Sequence, residues 1–139
     1  MSKRRRKTKN NYWGAIILEW FHYLRDSDFT SLDYRVLFFL CERMKSDDNT
    51  TYLKQKQIAE ELNSDKGNIS KSIKKLRDKQ FIVKSQNGFM INPHLFYVGK
   101  PTLISREEIR EEFDDLLSEE IRFSFNEEDR KLEEYPNQD

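Results

Sequence analysis

The chain of 139 residues holds one cysteine, two histidines, three prolines and four glycines. The shortage of each reactive or flexible type closes off a class of chemistry. Cys41, the single thiol, rules out an internal disulfide framework, and its place in an apolar run makes it a small core residue rather than a nucleophile. The four glycines form neither a Walker A loop nor a Rossmann fingerprint. His22 and His94 do not sit with cysteines or carboxylates at metal-ligand spacing. The carboxylates of the C-terminal third fall on solvated helix faces without a pocket, so two-metal nuclease chemistry is not indicated. No stretch approaches the roughly 18 apolar residues of a membrane span, and the basic N-terminus lacks a signal-peptide cleavage pattern. The expectation is a cytoplasmic protein with no catalytic residues, no metal and no cofactor.

What the chain has in abundance is charge. Charged residues make up 36% and hydrophobic residues 36% of the sequence, with 25 cations balancing 25 anions. The balance conceals a polarity. Residues 1–100 hold 20 Lys/Arg against 11 Asp/Glu, a net of +9; residues 101–139 hold 5 against 14, a net of −9. A basic body and an acidic end suggest nucleic-acid contact at one and a separate role at the other.

Residues 53–92 carry the most information. Ile58, Ala59 and Leu62 make one apolar stripe, which predicts a helix over Gln55–Leu62. Lys54 stands where a Ser, Thr or Asp N-cap is expected. Asn63-Ser64-Asp65 interrupts the pattern: Asn tolerates a left-handed backbone, and Asp65 is a good N-cap for a second helix, Lys66–Lys79. Ile69, Ile73 and Leu76 form its buried stripe, leaving Asn68, Lys71, Lys74, Lys75 and Asp78 outside. Phe81-Ile82-Val83 and Phe89-Met90-Ile91 read as two strands, with Asn87-Gly88 as a two-residue hairpin turn. Asn92-Pro93 ends the second strand.

Helix, turn, helix and hairpin in this order outline a winged helix-turn-helix, so the expected fold class is mostly α with a small β-hairpin. In such a motif the second helix enters the major groove with its N-terminal residues at base edges. Asn68 has the fork for a bidentate contact with adenine, and Lys66 or Lys71 has the reach for guanine acceptors. Gly67 lets backbone approach DNA closely, and Ser70 lies on the same helix. Lys74 and Lys75, further along, suit phosphates, which position without reading sequence. Lys54, Gln55 and Lys56 of the first helix and Lys84, Ser85, Gln86 and Asn87 of the wing complete the expected DNA face. The competing reading is a solvated helix with a lysine face.

The flanks divide into three segments: a basic arm (1–10), the DNA-binding body (11–100), and an acidic helix and tail (101–139). Lys3, Arg4, Arg5, Arg6, Lys7 and Lys9 crowd the arm, which has too little apolar surface to fold alone. It reads either as a flexible arm on phosphates or in a minor groove, or as a solubilising tail. Asn11–Arg25 is predicted as a helix with the face Trp13, Ile16, Ile17, Trp20, Phe21 and Leu24, serving the core, a homodimer contact, or both. Thr30–Met44 is predicted as the central buried helix, with Thr30 and Asp33 as a capping box, and Ser46–Asn49 as the turn that ends it. Ser105-Arg106-Glu107-Glu108 reads as a capping box for a further helix faced by Ile109, Phe113, Leu116 and Leu117. Past Ile121 the chain is polar except for Phe123, Phe125, Leu132 and Tyr135. The acidic segment is left with three readings: a dimerisation or protein-partner surface, an internal competitor for the basic face, or a solvated cap.

From about Phe21 to Lys100 the chain resembles the RepL-like replication proteins of plasmids from Gram-positive bacteria. The resemblance rests on the element order and on the run Met90-Ile91-Asn92-Pro93-His94-Leu95-Phe96. It implies a sequence-specific binder of double-stranded DNA, acting in plasmid replication or maintenance without catalysis of its own. It also implies a recognition surface over Lys66–Lys75 and a wing over Lys84–Asn87. The arm at Lys3–Lys9 and the acidic extension after Pro101 stand as departures. They leave open a transcriptional repressor of a plasmid, phage or mobile element, or an adaptor working through the acidic segment.

Overall fold

Thr30 opens the helix at the centre of the core. In the computed structural model, which describes residues 14–135, the Thr30 hydroxyl accepts the Asp33 backbone N–H at 3.2 Å. The Asp33 carboxylate accepts the Thr30 N–H at 2.8 Å in return. This reciprocal cap satisfies two of the free donors at the helix start, and α2 runs Ser31–Glu42 with Val36, Leu37 and Leu40 fully buried.

The elements before α2 correct the expected long N-terminal helix. Residues 11–13 lie outside the described residues. Ala15–Ile16 form a strand, β1, and the helix α1 spans only Trp20–Asp26. β1 pairs antiparallel with β5 (Phe96–Tyr97), Ala15 opposite Tyr97 and Ile16 opposite Phe96. The partner strand, eighty positions away in sequence, overrides the helical spacing of Ile16 and Ile17. α1 turns Trp20 and Leu24 inward and leaves Phe21 about half exposed. Trp20 meets Phe81 and Phe96 edge-on, with ring centroids 5.5 and 4.0 Å apart.

After α2 come β2 (Thr50–Thr51), α3 (Gln55–Glu61), α4 (Lys66–Asp78), β3 (Ile82–Lys84) and β4 (Phe89–Ile91). The three strands form an antiparallel sheet in the order β2-β4-β3. Successive side chains alternate faces. Ile82, Phe89 and Ile91 join the main core, whereas Val83 and Met90 pack on the other side against Phe113. The hairpin turn differs from expectation by one position. Lys84 pairs with Phe89 and the Ser85 N–H donates to the Gly88 carbonyl at 3.0 Å, so Gln86 and Asn87 occupy the turn. Neither Asn87 nor Gly88 has a positive φ. Gly88 is needed for a different reason: a Cβ there would collide with the Thr51 carbonyl of β2.

Two asparagines hold these pieces together. Asn49, left-handed at φ 58°, donates its buried side-chain amide to the Ile91 and Phe96 carbonyls at 2.7 and 2.9 Å. Its side-chain oxygen accepts the Val98 N–H at 3.1 Å. Asn92 donates to the Gln80 carbonyl at 2.7 Å and accepts the His94 N–H at 2.9 Å.

The C-terminal segment is not a helix and polar tail. α5 (Leu103–Leu116) is capped by Thr102, whose hydroxyl accepts the Ser105 N–H at 3.2 Å, so it begins before the expected box at Ser105. A hairpin follows, β6 (Phe123–Asn126) and β7 (Lys131–Glu134). Phe123 and Leu132 sink into the main core, with Phe123 against Phe81 and Tyr23 at 5.8 and 5.1 Å. The described residues thus hold five helices and seven short strands in three small sheets. The fold is mixed α/β rather than mostly α, because β1 finds a partner strand eighty positions away and a local β6–β7 hairpin adds two strands at the C-terminal end.

Candidate nucleic-acid interface

α4 owes its position to the turn before it. Asn63 adopts φ 50°, the left-handed conformation Asn tolerates, and the Ser64 N–H closes back on the Ala59 carbonyl at 3.0 Å. The Asp65 carboxylate then accepts the Gly67 and Asn68 N–H groups at 3.1 and 3.3 Å. Ile69, Ile73 and Leu76 face α2 and α3 in the core. At α3 the Lys54 side chain has no acceptor to offer as a cap. Gln57 supplies the return half alone, accepting the Lys54 N–H at 2.9 Å.

This packing leaves Lys66, Gly67, Asn68, Ser70, Lys71 and Lys74 exposed on α4. Lys54 and Lys56 are exposed at the start of α3, with Gln55 half-buried between them. In the β3–β4 hairpin Lys84, Gln86 and Asn87 are exposed and Ser85 is half-buried. Lys84 lies over the Phe89 ring, 5.0 Å from its centroid. The arm residues Lys3, Arg4, Arg5, Arg6, Lys7 and Lys9 lie outside the described residues.

Two of the expected phosphate contacts are engaged within the protein. Lys74 pairs with Asp78 at 2.7 Å on an open surface, a contact of small worth that is readily exchanged. Lys75 is different. Its ammonium lies 3.2 Å from the buried Asp33 carboxylate and over the Phe29 ring at 5.8 Å, on the flank where α4 meets α2. Asp33 also accepts the Ser72 hydroxyl at 2.6 Å. Burial pushes the Asp33 carboxyl up, but the bonds from Ser72, Thr30 and Lys75 outweigh it and hold the group below the usual carboxylate range. Arg77, exposed three residues after Lys74, joins the cationic surface. Helical spacing from Lys74 is the signal that points to it, and sequence reading passed over it.

The remaining candidates for chemistry have structural roles. Cys41 is partly buried as a residue, but its thiol is enclosed, and burial pushes it up to about 12. His94 accepts the Phe125 N–H on Nδ1 at 3.0 Å, so its proton sits on Nε2, which donates to Asp114 at 3.0 Å. The ring thus joins α5 to β6. Among the described residues no group of His, Cys, Asp or Glu is placed to hold a metal ion, and no helix is long and apolar enough to cross a membrane.

Fold and surface together define a small mixed α/β protein in which α4, next to a short hairpin, exposes a row of cations with Asn68 among them. A family model described as Firmicute plasmid replication protein (RepL) matches residues 4–134, and the chain belongs to that family. No curated protein and no solved structure matches the chain. The family match runs beyond Phe21–Lys100 in both directions. Of the departures expected at Lys3–Lys9 and after Pro101, residues 4–9 and the acidic segment up to residue 134 therefore fall within the family's span.

Proposed function

We propose that the protein binds a specific duplex DNA sequence in plasmid replication initiation or maintenance, as a winged helix-turn-helix with α4 as recognition helix and the β3–β4 hairpin as wing. The observation that carries this reading is topological. The order α2, β2, α3, turn, α4, β3, hairpin loop, β4, with sheet order β2-β4-β3, packs one face of α4 on α2 and α3 and leaves the opposite face of its N-terminal half open. Lys66, Asn68 and Lys71 stand exposed there, the residue types that pair with guanine and adenine edges in the major groove. The protein acts by binding, with no chemical step of its own. Substituting Asn68→Ala or Lys71→Glu tests this: both should abolish specific binding, measured by fluorescence anisotropy, while leaving circular dichroism unchanged. Full affinity in both variants would refute it.

The reading includes a homodimer, the usual partner of a two-fold DNA site. Its support is the apolar groove on α1 and α2, where Phe21 and Phe38 are each about half exposed beside Tyr34. Sedimentation of Phe38→Asp against the parent chain tests it: a parent that sediments as a monomer at micromolar concentration would remove the dimer.

A further inference from the structure

A groove runs between the C-terminal half of α4 and β3, the outer strand of its sheet. Its volume is about 360 Å³, and its lining includes Lys74, Arg77 and Lys84, with Ser118 and Glu119 on the far wall. Lys74 spends part of its charge on Asp78. Arg77 and Lys84 enter no ion pair among the described residues. Three cations therefore line this concave site beside two carboxylates, Asp78 and Glu119, with the Lys84 ammonium over the Phe89 ring and 3.5 Å from the Gly88 carbonyl. The planar fork of an arginine beside lysine point charges suits a phosphate oxyanion.

We infer that this groove seats a phosphodiester of the DNA backbone, with Arg77 as its main cation and Lys84 and Lys74 beside it. The inference rests on the DNA-binding reading above. The source of the phosphate follows from continuity: Lys74 lies one helical turn beyond Lys71 and Ser70, so the groove prolongs the exposed face of α4. A strand whose bases meet the N-terminal half of α4 is carried past the groove. The far wall gives the acidic segment a place in binding. Glu119, at the edge of the groove, opposes a phosphate there and lowers affinity by like-charge repulsion.

The test uses the full chain with a captured target duplex and a mixed-sequence duplex, each titrated across salt concentration. Arg77→Gln should weaken both duplexes several-fold at physiological salt and lower the slope of log affinity against log salt by about 1. Lys84→Gln should do the same to a smaller degree, and Glu119→Gln should strengthen both at low salt. Arg77→Gln with unchanged affinity and slope, beside a Lys71→Glu variant that no longer binds, would overturn the groove and keep the DNA reading. Silence in both variants would overturn the DNA reading itself. Loss confined to the target duplex would make Arg77 a base reader and overturn the phosphate seat.

Discussion

Ser72 donates its hydroxyl to the Asp33 carboxylate at 2.6 Å, and this buried bond ties the cation-bearing helix α4 to α2. The same carboxylate takes the Thr30 N–H and the Lys75 ammonium. The angle at which α4 presents Lys66, Asn68 and Lys71 is thus set by a polar anchor as well as by Ile69, Ile73 and Leu76. Asp33→Ala removes a helix cap and leaves the Ser72 hydroxyl unpaired in the core, a loss of about 3 kcal/mol. Ser72→Ala should cost about 1 kcal/mol. Denaturant unfolding of both and of the double variant measures the coupling. A double variant as unstable as the sum of the singles would show that the two residues act independently.

Glu127 gives the fold a dependence on pH. Arg106 donates to it at 2.8 Å and Arg110 at 2.6 Å, and these guanidinium groups hold its carboxyl at about 2. A depressed folded value stabilises the protein above the ordinary glutamate range, and the contribution fades as pH falls toward 2. It amounts to something on the order of 3 kcal/mol at neutral pH. Glu127→Gln should therefore be less stable than the parent chain at pH 7, with the gap narrowing below about pH 4. A gap of constant size between pH 7 and pH 3 would show that the two arginines do not depend on the charge of Glu127.

Asn49 combines a left-handed backbone with three side-chain bonds. Asn49→Gly keeps the backbone conformation and loses the bonds, while Asn49→Ala loses both. The expected order of stability is parent, Gly, Ala, with the Gly–Ala gap near 1 kcal/mol. Equal stability of the two variants, measured by thermal unfolding, would mean that the backbone conformation contributes nothing.

The acidic end is part of the folded body. Gln80, itself left-handed at φ 62°, accepts the Arg122 N–H at 2.8 Å and donates to the Glu120 carbonyl at 2.7 Å, so one side chain holds the start of the last hairpin. Phe123→Ala should destabilise the protein by about 3–5 kcal/mol. A chain cut after residue 100 would expose Val83, Met90 and Phe81 and should melt well below the full chain. Full cooperativity and an unchanged midpoint in that truncated chain would show the acidic end to be dispensable.

The elements legible in the sequence are those specified locally. α2, α3 and α4 announce themselves through apolar spacing, and α2 and α4 through their caps at Thr30 and Asp65. β1 was hidden because its partner lies at Phe96–Tyr97. β6 and β7 were hidden because Phe123 and Leu132 become core residues only once Trp20, Tyr23 and Phe81 are assembled. Asn87-Gly88 marked the hairpin correctly but for the wrong reason: Gly88 makes room for Thr51 instead of supplying a positive φ. On the candidate DNA face, spacing alone placed Lys75 with Lys71 and Lys74. It could not show that Asp33, forty-two positions earlier, would claim that ammonium.

Recognition of a specific DNA sequence is proposed for the exposed face of α4. The most direct measurement is capture: full-length protein is mixed with fragmented DNA from its source genome and plasmids at physiological salt, and the retained fragments are sequenced. Enrichment of one locus inside a plasmid replication origin, lost in Lys71→Glu, is the expected result. Retention of all fragments in proportion to their abundance, or of none, would contradict it.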